Sequence, residues 1–202
     1  MAERIVLIDF GAGNLRSVWN ALNAAGADDI AVTADPATVS SADRIVLPGV
    51  GAFAAAMRAL EAIPGMVDAL NETVREKGRP FLGVCVGMQL MAETGEEHGS
   101  TRGLGWCPGA VRAIEPSATL KVPHMGWNDV RPTAPHPLIA SGEAYFLHSF
   151  AYDGADVLAE TDHGGPRAAA IGRDNMAGVQ FHPEKSQRYG LALLARFLEW
   201  KP

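Results

Sequence analysis

The stretch that most limits what this chain can become is Gly83-Val84-Cys85-Val86-Gly87. Residues 81–84 ahead of it form a short apolar run of strand length, and residues 86–92 behind it suit the first turns of a helix. A strand that passes into a helix through one residue needs a tight, strained turn. Glycines two places either side let the neighbouring backbones approach, which pushes the central side chain out where a substrate can reach it. Cys85 then stands at a helix N-terminus, where unpaired N–H groups and the helix dipole favour a thiolate. Gln89 lies one turn further along the same face, so its amide can line the same pocket. The same five residues also suit an inert buried thiol. Partners elsewhere in the chain have to decide between the two.

The elements around this elbow predict its setting. Residues 4–10 are β-branched and apolar, as a strand buried on both faces requires, and read as a first strand rather than a signal peptide. The Gly11-Ala12-Gly13-Asn14 turn lacks the third glycine of a dinucleotide fingerprint, since Arg16 occupies that place. Asn14 there is a candidate helix cap. A helix is expected over 15–25, strands over 29–33 and 44–47, helices over 53–62 and 66–77, then the elbow strand. Strand alternating with helix implies a parallel sheet with crossover helices. Beyond the elbow, 93–102 and 129–144 read as loops. Strands are expected over 109–114, 144–150, 157–160, 167–171 and 176–181, the closely spaced ones forming an antiparallel section. A last helix over 188–200 has Leu191, Leu194, Ala195 and Leu198 on its apolar face. The expected fold is α/β: a mostly parallel, flavodoxin-like central sheet flanked by helices with an antiparallel extension, all 202 residues forming one domain.

Composition narrows the class of function. The net charge of −6 argues against a nucleic-acid or polybasic membrane surface. No apolar run reaches the length of a membrane span. Two cysteines, Cys85 and Cys107, make neither a disulfide framework nor a metal pattern, so a reducing cytoplasm and no metal are expected.

An active thiol needs a base to take its proton and later return one. Of the six histidines, His182 alone comes with an orienting acid in fixed register, Glu184. In extended chain, residues i and i+2 point the same way, and Pro183 between them restricts the backbone. Both follow a strand end, as the elbow does, which is where parallel α/β sheets assemble their sites. Acyl chemistry also needs N–H donors for an oxyanion. Val86 N–H is one candidate, and the glycine-bearing loop Pro48-Gly49-Val50-Gly51 can supply another. Residue chemistry thus indicates thiol acyl transfer without naming a substrate.

The elbow with Gln89, followed near the C-terminus by Phe181-His182-Pro183-Glu184-Lys185-Ser186, resembles the class I glutamine amidotransferases. Four more stretches are similar to the glutaminase subunits of imidazole glycerol phosphate synthases within that family. They are Ile8 to Ser17, Leu47 to Phe53, Val122 to Asn128 (Val-Pro-His-Met-Gly-Trp-Asn) and Tyr145 to Phe150. The resemblance implies a Cys85, His182, Glu184 triad. It implies an oxyanion hole from Val86, Val50 and Gly51, and glutamine held by Gly49, Gln89, Ser149 and Phe150. It further implies ammonia passed to a cyclase subunit in a heterodimer, across a face containing Asn14, Trp127, Asn128 and Lys185, with no cofactor. Three other readings stay open on the residues: the glutaminase of a different synthase, a stand-alone γ-glutamyl hydrolase, and a sensor whose Cys85 responds only to oxidation.

Overall fold

A computed structural model describes residues 3–202, so Met1 and Ala2, at the head of the chain, lie outside it. The first half alternates as expected: β1 (Arg4–Ile8), α1 (Leu15–Ala24), β2 (Asp29–Thr33), α2 (Pro36–Ser40), β3 (Arg44–Leu47) and α3 (Phe53–Glu61). Then come α4 (Met66–Leu70), which widens into π-type turns over Asn71–Glu76, β4 (Phe81–Val84) and the elbow helix α5 (Val86–Gln89). β3 and β4 are buried at every position, which explains the apolar runs 45–47 and 81–84, while Arg44 at the head of β3 is buried against the Phe197 and Trp200 carbonyls. α2 was not anticipated. Its signal is Asp35, whose carboxylate accepts from the N–H groups of Ala37 and Thr38, with Pro36 at the first helical position.

The second half consists mostly of strands: β5 (Ala92–Gly95), β6 (Thr101–Arg102), β7 (Cys107–Ala113), β8 (His124–Pro132), β9 (Gly142–His148), β10 (Phe150–Gly154), β11 (Val157–Asp162), β12 (Pro166–Arg173) and β13 (Met176–Val179). A 3₁₀ turn (Pro183–Lys185) and α6 (Gln187–Glu199) close the chain. The main sheet runs β2-β1-β3-β4-β13-β12-β11-β8-β9. Its pairs from β2 through β13 are parallel, and those from β12 onward antiparallel. A second sheet, β10-β7-β5-β6, lies beside the elbow.

Three expectations change. The elbow helix ends at Gln89 instead of continuing to Ala92, because Leu104, Trp106, Cys107 and Gly105 donate to the carbonyls of Leu90, Met91, Met91 and Ala92. Those bonds draw the chain into β5, within what reads as a polar loop. Part of the proline-rich 129–144 segment is the end of β8, paired to β9 from His124↔His148 to Val130↔Gly142. On α6 the buried residues are Gly190, Leu193, Leu194 and Phe197, with Leu191, Ala195 and Leu198 only partly covered. Gly190 sets that rotation: a Cβ there would lie 1.9 Å from the Pro183 carbonyl oxygen, so the helix seats its glycine directly on the 3₁₀ turn.

The topology places the site. β4 and β13 are parallel neighbours in register from Met176↔Phe81 to Val179↔Val84. Both therefore release their chains at the same edge, with Cys85 leaving β4 and Gln180, Phe181 and His182 leaving β13.

Candidate active site

Cys85 has φ 54° and ψ −110°, a left-handed conformation that costs a β-carbon-bearing residue roughly 1–3 kcal/mol. The glycines on either side allow it. A Cβ on Gly83 would come within 2.6 Å of the Gly87 carbonyl oxygen, and one on Gly87 within 1.9 Å of the Leu47 carbonyl oxygen. The turn is fixed by Cys85 N–H donating to Val179 O at 2.8 Å and Gln89 N–H donating to Cys85 O at 3.1 Å. With only one helical turn behind it, the elbow has little helix dipole, so support for charge on sulfur must come from side chains.

His182 supplies part of that support. Its Nδ1 lies 2.9 Å from Glu184 Oε1, and both side chains are almost wholly buried. Burial works against the imidazolium, but the Cys85 sulfur and the Glu184 carboxylate outweigh it and push His182 up to about 9. The expected juxtaposition of His182 and Glu184 is present, though its cause differs. His182 is extended, while Pro183–Lys185 tighten into a 3₁₀ turn that brings Glu184 back beneath the ring. His182 N–H donates to Tyr145 O at 2.9 Å, and Ser186 Oγ donates to His182 O at 2.7 Å, which anchors the turn to β9.

One pocket of about 550 Å³, mouth included, gathers Val50, Gly51, Cys85, Val86, Gln89, Ser149, Phe150, His182 and Lys185. That is a volume suited to a small ligand. Glu184 stands behind His182 and Gly49 beneath Val86, so both act from outside the pocket wall. Gln89 Nε2 donates to Phe150 O at 3.0 Å and to Gln180 Oε1 at 2.9 Å. Both its hydrogens are thereby used, leaving Oε1 as the atom it can offer a ligand. Glu97, which sequence reasoning passed over in a polar stretch, also lines this pocket. Its Oε2 accepts from Phe53 N–H at 2.9 Å at the start of α3, so its carboxylate is held in place and suits an ammonium group.

The oxyanion expectation needs correction. Val86 N–H is not free: it donates to Gly49 O at 3.3 Å. The Gly49–Val50 peptide thus turns its carbonyl, not its N–H, toward the elbow. Gly51 carries the positive φ of that loop (93°), whereas Gly49 is required for space, since a Cβ there would lie 2.8 Å from Gly87 N.

The expected partner face is also only partly free. Trp127 is 47% exposed, with Met125 62% exposed on the same side of β8, and the Trp127 ring packs edge-on against Tyr145. Lys185 extends over the Tyr145 ring at 5.9 Å and lines the pocket as well. Asn14 is exposed at the start of α1 and its side chain makes no cap, contrary to expectation. Asn128 is turned inward. Its Nδ2 reaches His124 Nε2 at 3.1 Å and Asp162 O at 2.8 Å, and its Oδ1 accepts from Asp129 N–H. Among the described residues there is no cluster fit to hold a metal ion, and no helix is long and apolar enough to cross a membrane.

The model of the family described as "Glutamine amidotransferase class-I" matches residues 6–200. The imidazole glycerol phosphate synthase subunit HisH of Zymomonas mobilis is 60% identical, the match covering 100% of this chain and 98% of that one. The protein of the same name from Brucella suis is 54% identical over 98% and 100%. Among solved structures, one described as a glutamine amidotransferase superposes with a TM-score of 0.75 at 18% identity, covering 96% and 97%. The structure of PurLQS from Thermotoga maritima gives 0.73 at 18% identity, covering 98% and 99%. At such identities these structures establish the α/β fold alone.

Proposed function

The chain belongs to the class I glutamine amidotransferases, and from that premise we propose that it is the glutaminase subunit of an imidazole glycerol phosphate synthase. The observation that carries the reading is Cys85, strained outward at a strand-to-helix elbow, with His182 held against Glu184 at the edge of the same pocket. The full-length similarity to subunits of that name supports the assignment to this synthase over another. All 202 residues act as one domain, in the cytoplasm, as half of a heterodimer with a cyclase subunit.

Glutamine enters with its α-ammonium toward Glu97 and its carboxamide at Cys85, beside Gln89 Oε1 and the backbone of Ser149 and Phe150. The thiolate attacks the carboxamide carbon, and the tetrahedral oxyanion forms. His182 gives its proton to the departing nitrogen, the C–N bond breaks, and a γ-glutamyl thioester remains. His182 then takes a proton from water, which attacks the thioester, releases glutamate and returns the thiol. Glu184 keeps the ring oriented and stabilises its charged form throughout. The ammonia passes to the cyclase, which uses it to form imidazole glycerol phosphate and aminoimidazole carboxamide ribonucleotide in histidine biosynthesis.

A glutaminase that ran without its partner would waste glutamine, and the Gly49–Val50 peptide is suited to prevent this. While Gly49 O holds Val86 N–H, the oxyanion has no pair of donors. A flip of that peptide would release Val86 N–H and turn Val50 N–H inward. Such a flip rotates φ of residue 50 by about half a turn. Val50 is absent from the residues with positive φ, so the flipped form would put it there, which is costly for a β-branched residue. The closed form is therefore favoured at rest, and a bound cyclase carrying its nucleotide could shift the balance.

Glutamate release from glutamine, measured with and without the cyclase subunit and its nucleotide ligand, tests the proposal, with Cys85→Ala as blank. Strong release only with both present supports it. Equally strong release by the isolated chain would indicate a free-standing hydrolase instead.

A further inference from the structure

We propose that Gln180 is a catalytic residue of this site, donating an amide N–H to the Cys85 sulfur, and that Gln89 is the positioning residue that fixes the direction of that donation. Nothing in the motif analysis singles out Gln180, which sits in the strand exit two residues before His182 with no accessible surface. The inference rests on the reading of Cys85 as the nucleophile.

Register brings the pair together. Val84 and Val179 are partners in the parallel β4–β13 ladder, so Cys85 and Gln180 are the residues that follow on each side. Gln180 Nε2 lies 3.7 Å from Cys85 Sγ, within hydrogen-bonding reach of sulfur. The sulfur also faces the His182 ring and the Leu147 carbonyl, the latter 4.0 Å from Sγ, which accepts from a thiol but opposes a thiolate.

An amide can present nitrogen or oxygen, and here the choice is forced from outside. The Phe150 carbonyl can only accept. It lies 3.0 Å from Gln89, which must face it with Nε2. The second hydrogen of that nitrogen then points to Gln180, which must answer with Oε1, at 2.9 Å. Gln180 is left with Nε2 toward sulfur. The same carbonyl takes His148 Nδ1–H at 2.8 Å, so neutral His148 has a bare Nε2. His124 Nδ1–H fills it at 3.0 Å, and Asn128 Nδ2 fills His124 Nε2 at 3.1 Å. Every bond in this buried series is matched in only one sense, with Phe150 O as the common acceptor. A polar network satisfied in this way holds its members rigidly. The N–H at the sulfur is therefore set in place before glutamine arrives, and it favours the negative form on which attack depends.

The test is the pH dependence of Cys85 alkylation by iodoacetamide on the full chain, followed by intact mass. Cys107 does not interfere, since it has no accessible surface and burial pushes its thiol up to about 12. Gln180→Glu keeps the oxygen that Gln89 needs and replaces only the group facing sulfur. Gln180→Met keeps the length without a donor, and guards against misfolding of the first variant. In either variant, with wild-type circular dichroism, the alkylation midpoint should move up by about one to two pH units. The partner-stimulated kcat should fall about tenfold or more with KM within about threefold. An unchanged midpoint in a folded variant would overturn the role of Gln180 even if kcat fell, since packing alone can lower kcat. Wild-type Cys85 reacting no faster than Cys107 would overturn the nucleophile reading, and this inference with it.

Discussion

The carbonyl oxygen of Gly49 accepts the backbone N–H of Val86 at 3.3 Å, so the donor that should greet the oxyanion is occupied by the loop that should supply its companion. If that bond keeps the resting enzyme idle, Val50 is where the restraint is stored. Val50→Gly removes the penalty for positive φ, roughly 1–2 kcal/mol, and should raise unstimulated glutamate release roughly 5- to 30-fold while leaving the KM for glutamine near its wild-type value. Val50→Pro deletes the N–H and should abolish stimulation. Unstimulated rates unaltered by Val50→Gly would remove the peptide flip from the account.

His182 should hold its proton to unusually high pH. Its value is pushed up to about 9 by Cys85 and Glu184 against the effect of burial. The protonated ring therefore contributes stability fully below about pH 6.5, its unfolded value, and that contribution is lost as pH rises through about 9. An NMR titration should find the His182 ring changing near pH 9 in wild type, and lower in Cys85→Ala, which removes one of its anionic partners. A ring that titrates at or below 6.5 in the wild type would contradict the ion-pair picture.

The buried His124–His148 pair predicts the opposite pH sensitivity. Burial, with neighbouring histidines, pulls His124 down to about 3 and His148 down to about 4. Both are then neutral in the folded state while the unfolded chain takes up protons below about pH 6.5. Stability should fall on acidification by about 1.4 kcal/mol per pH unit for each histidine, until pH approaches its folded value. Urea midpoints measured from pH 7 to pH 4 check this, and His124→Asn should flatten the slope by about half. A wild-type slope no steeper than that of the variant would count against it.

Glu184→Gln keeps the size of the side chain that orients His182 but replaces the carboxylate oxygen 2.9 Å from Nδ1 with a neutral amide. The stimulated kcat should drop by about two to four orders of magnitude, with glutamine KM changed far less. A loss smaller than tenfold would leave Glu184 a structural residue of the 3₁₀ turn.

Gly87 tests the elbow itself. It has no positive φ, so Gly87→Ala carries no backbone strain. Its Cβ would still meet the Leu47 carbonyl at 1.9 Å. The cost should reach at least about 3 kcal/mol in urea unfolding. A cost below 1 kcal/mol would show that β3 can move away from the elbow.

What could be read from the sequence divides along physical lines. β3 and β4 announced themselves because both their faces are buried, and the elbow did so because Gly83 and Gly87 answer the close backbone approaches on either side of strained Cys85. β8 escaped because His124, Gly126 and Asn128 interrupt apolar alternation, and the His124 and Asn128 side chains find partners on β9 and β11 across the sheet. The α6 face was misjudged by a fraction of a turn because Gly190, with no apolar side chain, makes the closest approach of the helix. The contact of His182 with Glu184 was legible because the two are near in sequence. Gln180, His148 and Glu97 meet the site through strand register or loop return, and no spacing rule predicts them. The Gly49–Val86 bond is a conformational choice of one peptide, which the Pro-Gly-Val-Gly loop permits without selecting.

The measurement closest to the central claim is covalent. Incubating the full chain, with the cyclase and its nucleotide present, with a glutamine analogue bearing an electrophile at the carboxamide position, followed by peptide mass mapping, should label Cys85 alone. Labelling should vanish in Cys85→Ala and slow by about tenfold or more in His182→Asn. Label on Cys107, or none on Cys85 under conditions where glutamate is released, would contradict the account.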